Sequence, residues 1–180
     1  MKGTARSSRR NAIVRRGRRV TLFVSYAHQN RVWMQRLQPV FVAMQYDDRG
    51  SNLVGLDEVS TWHDHELQPG DQWDNEIGTA LDTMDIFVPL VSMDFFASWY
   101  VMNVELPKAM ERHKRREIHV VPILLHDVNL REKCTFLNQF SPLPAWGEWW
   151  SSYKPQANAL RPIDDGLWVA IQKVLDGQRP

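Results

Sequence analysis

Four runs of apolar, largely β-branched residues punctuate the chain, and between them apolar positions return at the three-and-four spacing of a helix that hides one face. The first run, 19–26 (RVTLFVSY), is bounded by a polar turn and predicts a buried, central strand. Val32, Trp33, Leu37, Val40, Phe41 and Met44 then recur at helical spacing, which predicts a helix capped by Asn30 with these six residues in the core. A turn-rich surface stretch, 47–52, separates it from a short second strand at 59–62, which runs into the polar loop 63–70 (HDHELQPG), ended by a Pro-Gly turn. Asp71 caps a second helix, with Trp73, Ile77, Ala80 and Leu81 as its apolar stripe. The third strand, 85–91 (DIFVPLV), and a fourth, 118–125 (IHVVPILL), are nearly continuous in apolar residues, as expected of strands covered on both faces. After His126 the pattern loosens into a proline- and tryptophan-rich segment, 141–150, before an amphipathic helix over 164–175 that turns Trp168, Ile171 and Leu175 inward. The Trp149-Trp150 pair is read as packing against the sheet edge rather than as a stacking platform. Strands alternating with crossovers of helical length predict an α/β fold on an open parallel sheet.

The stretch 92–116 (SMDFFASWYVMNVELPKAMERHKRR) sets one carboxylate, Glu105, among aromatic residues just beyond the third strand. Two local readings are open. In one, Ser98 caps a helix from Trp99 to about Arg115, which Pro107 bends by freeing the Asn103 carbonyl. In the other, Asn103 is the cap and Glu105 lies in the first turn, where the helix dipole favours the ionised form. Both leave Glu105 near the mouth of the strand, and the bland alternative is a solvated glutamate on a helix face.

Composition narrows the class. With 180 residues, 43% hydrophobic content and eight tryptophans, one folded domain over 19–176 is expected, preceded by a flexible basic arm, 1–18. The net charge of +1 hides an asymmetry: residues 1–19 hold eight Lys/Arg and no acid, which leaves 14 basic against 21 acidic residues, or −7, in the remainder. The arm could contact nucleic acid or an anionic lipid surface, but without interleaved aromatics a solubilising leader, or a stub that packs on a partner, is the preferred reading. No apolar run approaches the ~20 residues needed to cross a bilayer and no apolar leader is evident, so a cytoplasmic protein without membrane contact is expected. The single cysteine, Cys134, excludes an internal disulfide and a thiolate zinc cluster. His63-Asp64-His65, with His28 and His126 elsewhere, lacks the spacing of a metal site, and none is expected.

In combination, Phe23-Val24-Ser25-Tyr26, the segment from Trp62-His63-Asp64 to Pro69-Gly70-Asp71, the strand 85–92 and Ser98 to Glu105 resemble a Toll/interleukin-1 receptor (TIR) domain of the bacterial kind, over about residues 19–176. The resemblance implies a flavodoxin-like open parallel sheet of five strands flanked by helices, with a fifth short strand near residues 160–162. It also implies that Ser25, Tyr26 and His28, the loop 63–70 and Glu105 converge at the carboxyl edge of the sheet. TIR domains divide into signalling adaptors and NAD-cleaving enzymes that require a glutamate in the helix after the third strand, and Glu105 matches it. Many bacterial members read Ser-x-Tyr-Cys-x-x-x-Glu; here Ser98, Tyr100 and Glu105 agree and Val101 replaces the cysteine. Where the family often carries a basic residue just after the first strand, this chain has Ala27-His28, a departure that bears on phosphate contacts.

The resemblance therefore implies an NAD+ glycohydrolase with Glu105 as catalytic residue, NAD+ as substrate and no cofactor. Ser25, Tyr26, His28, Asp64, Trp73, Trp99 and Tyr100 are the candidate substrate contacts; Trp73, Trp99 and Tyr100 could stack on nicotinamide or adenine, although a core position suits Trp73 as well. One carboxylate can suffice because nicotinamide leaves as a neutral base and needs no general acid, unlike the leaving group of an ordinary glycoside. Further implications are assembly with other TIR copies through residues 63–70, a sensor subunit or fused sensor domain, and a role in antiphage defence. The competing reading is a non-catalytic TIR interaction module in which Glu105 is a surface residue. A phosphorelay receiver is excluded by Tyr26-Ala27 and Val91-Ser92 where acids are required, and a Rossmann oxidoreductase or a serine hydrolase by the absence of their glycine motifs.

Overall fold

A computed structural model describes residues 20–44, 59–61, 73–128 and 135–180. The strands are β1 (Leu22–Ser25), β2 (Val59–Thr61), β3 (Ile86–Val91), β4 (His119–Val120) and β5 (Ile123–Leu124). The α-helices are α1 (Arg31–Met44), α2 (Trp73–Thr83), α3 (Met93–Ala97), α4 (Leu106–Lys114) and α5 (Leu160–Leu175). All strand pairs are parallel, in the lateral order β2-β1-β3-β4, with β5 also paired to β3. Strand order thus reverses between β1 and β3, and in open α/β sheets ligands gather at the carboxyl ends of the strands at such a point.

Alternation along the strands builds two cores. Leu22, Val24, Ile86, Val88 and Leu90 face one side, where Trp33, Leu37 and Phe41 of α1 and Ile163, Leu167 and Ile171 of α5 cover them. Phe23, Phe87 and Val91 face the other, under Ile77 and Leu81 of α2, Phe95 of α3 and Leu106 and Ala109 of α4. This double covering is why the strands read as continuous apolar runs.

The fourth strand predicted over 118–125 is broken in two. Pro89 of β3 and Pro122 between β4 and β5 fall at the break, and neither has an N–H to give the ladder. Around it, Val121 N–H donates to the Phe87 carbonyl and Leu125 N–H to the Val91 carbonyl, both at 2.9 Å. The fifth strand expected near 160–162 is not there. Residues 156–159 form a 3-10 turn that leads into α5, which starts at Leu160 rather than at 164. What lies beside β5 is a single residue, Leu143, whose N–H donates to the Pro122 carbonyl and whose carbonyl accepts from Leu124 N–H, both at 2.8 Å. Gly166 of α5 makes room for it, since a Cβ there would lie 2.2 Å from Leu143 Cδ2.

Of the six residues predicted to be core on α1, five are buried, while Val32 is 47% exposed. Its neighbour in sequence, Trp33, takes the inward position against Trp150 and His126. Trp150 is fully buried and Trp149 packs on the second core, so the pair is structural. Among the described residues no helix is long and apolar enough to cross a membrane.

Candidate functional site

The site forms where β1 and β3 end. Ser25, the last residue of β1, pairs in register with Pro89 of β3 and is buried. Its hydroxyl donates to Glu105 Oε2, eighty residues away in sequence, in a short hydrogen bond. Glu105 is only 5% exposed, so the carboxylate lies inside the fold at the carboxyl edge of the sheet. A buried carboxylate is costly without a hydrogen-bond partner, and the Ser25 hydroxyl supplies one.

The segment carrying Glu105 follows the first of the two local readings, with one change. Ser98 starts the helical run: its hydroxyl accepts from Val101 N–H at 3.4 Å and its carbonyl from Met102 N–H at 3.1 Å. Val101–Glu105 then form a wide π turn in which Leu106 N–H reaches back to the Val101 carbonyl, and α4 continues from Leu106. Pro107, in the first turn of α4, has no N–H for the Asn103 carbonyl, which accounts for the loss of ordinary helical bonding at this point. The second reading is overturned: Asn103 caps nothing, and its side-chain amide donates to the Trp99 carbonyl at 2.7 Å. Glu105 is therefore held by burial and Ser25 rather than by the first turn of a helix.

Beside this pair lies a polar network that sequence reasoning missed. Ser92, directly after β3, caps α3 by accepting from Phe95 N–H at 3.0 Å and donates to Asn30 Oδ1 at 2.6 Å. The Asn30 side-chain amide donates in turn to Asp94 Oδ2 at 3.3 Å. Asn30, read from sequence as the cap of α1, is instead buried in the 3-10 turn His28–Asn30 with its side chain spent on β3 and α3. The signal available was position: Ser92 follows the apolar strand at the carboxyl edge, where a fold of this topology gathers its polar groups.

The remaining candidates are placed as follows. Tyr26 is buried with its ring in the core covered by α1, and burial pushes its phenol up to about 12, with Arg31 pulling down and Glu105 pushing up. The hydroxyl thus feels a cation and the carboxylate together. His28 is exposed at the start of the 3-10 turn. Tyr100 is half-buried on the second core, whereas Trp99 is 71% exposed. Asp64 and the loop 63–70 lie outside the described residues, as does the side chain of Trp73. The fold brings together Ser25, Tyr26 and Glu105. Among the described residues no group of three or more His, Cys, Asp or Glu could hold a metal ion.

A profile of the TIR domain matches residues 22–148. Uncharacterised protein y4lF of Sinorhizobium fredii is 33% identical over 105 residues, which cover 58% of this chain and 30% of the relative. The chain thus spans under a third of that protein.

Proposed function

The chain belongs to the TIR domain family, and from that premise we propose that it is an NAD+ glycohydrolase with Glu105 as its catalytic residue. The observation that carries the reading is the short hydrogen bond from the Ser25 hydroxyl to the buried Glu105 carboxylate, at the crevice where strand order reverses.

The chemistry follows from the leaving group. As the nicotinamide–ribose bond lengthens, its electron pair goes to the pyridinium nitrogen and nicotinamide leaves neutral. Positive charge grows on the ribose carbon, and the Glu105 carboxylate offsets it in a site of low polarity, where such an interaction is strongest. Ser25 fixes one carboxylate oxygen so that the charge is aimed before the reaction starts. Water, or the adenine of the same molecule, then takes the ribose carbon to give ADP-ribose or a cyclic product. Tyr26 and His28 on the loop after β1, together with Tyr100 and Trp99, are the proposed substrate contacts from the described residues, and Asp64 and Trp73 complete the set.

Family members commonly self-associate, and we extend the proposal to activation by assembly with other copies through residues 63–70, in the cytoplasm, in antiphage defence under the control of a sensor. The alternative, a non-catalytic interaction module, makes Glu105 a surface residue, and its burial runs against that version. The test is nicotinamide release from NAD+ by the wild type and by Glu105→Ala, both held together by a fused oligomerising segment. Release by the wild type alone supports the enzyme, and equal inactivity of both under enforced assembly supports the module.

A further inference from the structure

Two anchors tie the end of β1 and the turn after it to residues 92–105. One, the Ser25 hydroxyl on Glu105, serves the proposed reaction. The other is Asn30, which is 2% exposed in the 3-10 turn His28–Asn30. Its side-chain carbonyl accepts from the Ser92 hydroxyl at 2.6 Å, and its amide donates to Asp94 Oδ2 at 3.3 Å. Ser92 is fully buried and Asp94 half-buried. Two buried polar groups thus fix one oxygen of a carboxylate that reaches the surface, a placement the glycohydrolase chemistry leaves unused.

Asp94 belongs to the same edge as Glu105. Its backbone carbonyl accepts from Ser98 N–H at 3.0 Å, and Ser98 starts the helical run that carries Glu105. Ser25 is in register with Pro89, and Ser92 follows three residues later, roughly 10 Å further out at the rise of a strand. The Asn30 anchor therefore lies outward of the Ser25 anchor. Among the described residues Asp94 has no cationic partner, and no donor reaches Oδ1. An ionised carboxylate offers acceptors only, so its ligand must bring donors; one fixed oxygen beside one open oxygen suits neighbouring hydroxyls. The same charge repels phosphate.

We propose that Asp94 binds the hydroxyls of the second, adenosine ribose of NAD+ and thereby selects NAD+ over NADP+, which carries a phosphate at the 2′ position of that ribose. The identity of the ligand rests on the glycohydrolase reading, in which Glu105 faces the first ribose and the pyrophosphate spans the distance to the second. An acid on the ribose 2′-hydroxyl is a general means by which dinucleotide sites on parallel sheets favour NAD+. Asn30 and Ser92 are positioning residues here, since they hold the carboxylate without touching the ligand.

The probes are NAD+ and NADP+, titrated calorimetrically into the full chain carrying Glu105→Gln and assembled by the fused oligomerising segment, so that neither is consumed. NAD+ is expected to bind at least roughly tenfold more tightly. Adding Asp94→Asn keeps an acceptor for Asn30 and removes the charge, which brings the two affinities within about threefold of each other. With Glu105 intact, Asp94→Asn raises KM for NAD+ and leaves kcat within about twofold. A residue that merely braces Asn30 would instead lower kcat and the thermal midpoint and leave the ratio of affinities as it was. Circular dichroism checks the fold; Asp94→Ser gives the same reading should Asp94→Asn not fold, and the first comparison needs no change at position 94. Equal affinity for the two dinucleotides, no binding of NAD+, or a ratio that Asp94→Asn leaves unmoved overturns the proposal. Selective binding without nicotinamide release by the wild type supports the ribose site and contradicts the glycohydrolase reading.

Discussion

At the level of single residues, the account turns on a carboxylate and the hydroxyl that holds it. The expectation that Glu105 lies near the end of the third strand came from a motif just beyond an apolar run; its partner Ser25 was not expected, since no pattern of periods links residues eighty positions apart. Removing that donor leaves one buried oxygen without its hydrogen bond. A charge-assisted bond contributes about 1.5–3 kcal/mol, so Ser25→Ala is expected to lower kcat for NAD+ cleavage by roughly ten- to a hundredfold, measured by nicotinamide release, while the variant still folds. Tyrosine ionisation gives a second, independent check on the local environment. Burial pushes Tyr26 to about 12, and the hydrogen bond it donates to Glu148 pushes Tyr153 to about 12. A phenol that holds its proton to higher pH in the folded state than in the unfolded one stabilises the fold below about pH 10 and loses that contribution as pH rises towards 12. Titration followed by ultraviolet absorbance is therefore expected to show a late phase that Tyr26→Phe and Tyr153→Phe each diminish.

Among the elements, the π turn Val101–Glu105 is the one with a mechanical consequence. Sequence allowed either a bent helix or a new start at Asn103. It could not decide, because Pro107 is compatible with both a kink and a first turn. The wide turn sets the angle at which Glu105 meets Ser25. Pro107→Ala restores the missing N–H and allows ordinary helical bonding, which turns the carboxylate away; kcat is expected to fall more than roughly tenfold while the thermal midpoint moves by only a few degrees. Ser92 is a different case, since it caps α3 and bonds buried Asn30 at once. Ser92→Ala should cost about 1–3 kcal/mol in denaturant unfolding, with Asn30 left unsatisfied. The broken fourth strand and the early start of α5 escaped the pattern for one reason: prolines at 89, 122 and 162 carry no periodicity, and only their backbone neighbours reveal which ladder bonds are missing.

For the whole molecule, alternating strands and helices were enough to predict a parallel sheet covered on both faces, and the order β2-β1-β3-β4 then puts the crevice between β1 and β3. The same topology puts the buried Glu105 carboxylate and the Ser25 hydroxyl at the carboxyl edge. The claim on which the account rests is that the charge of Glu105 acts on a ribosyl cation formed only in the transition state. Glu105→Gln keeps the size of the side chain and an oxygen for the Ser25 hydroxyl, and removes only the charge. The direct measurement is the steady-state rate of nicotinamide release from NAD+ by assembled wild type and assembled Glu105→Gln. The account predicts that kcat falls by roughly a hundredfold or more with KM little changed; equal kcat in the two proteins contradicts it.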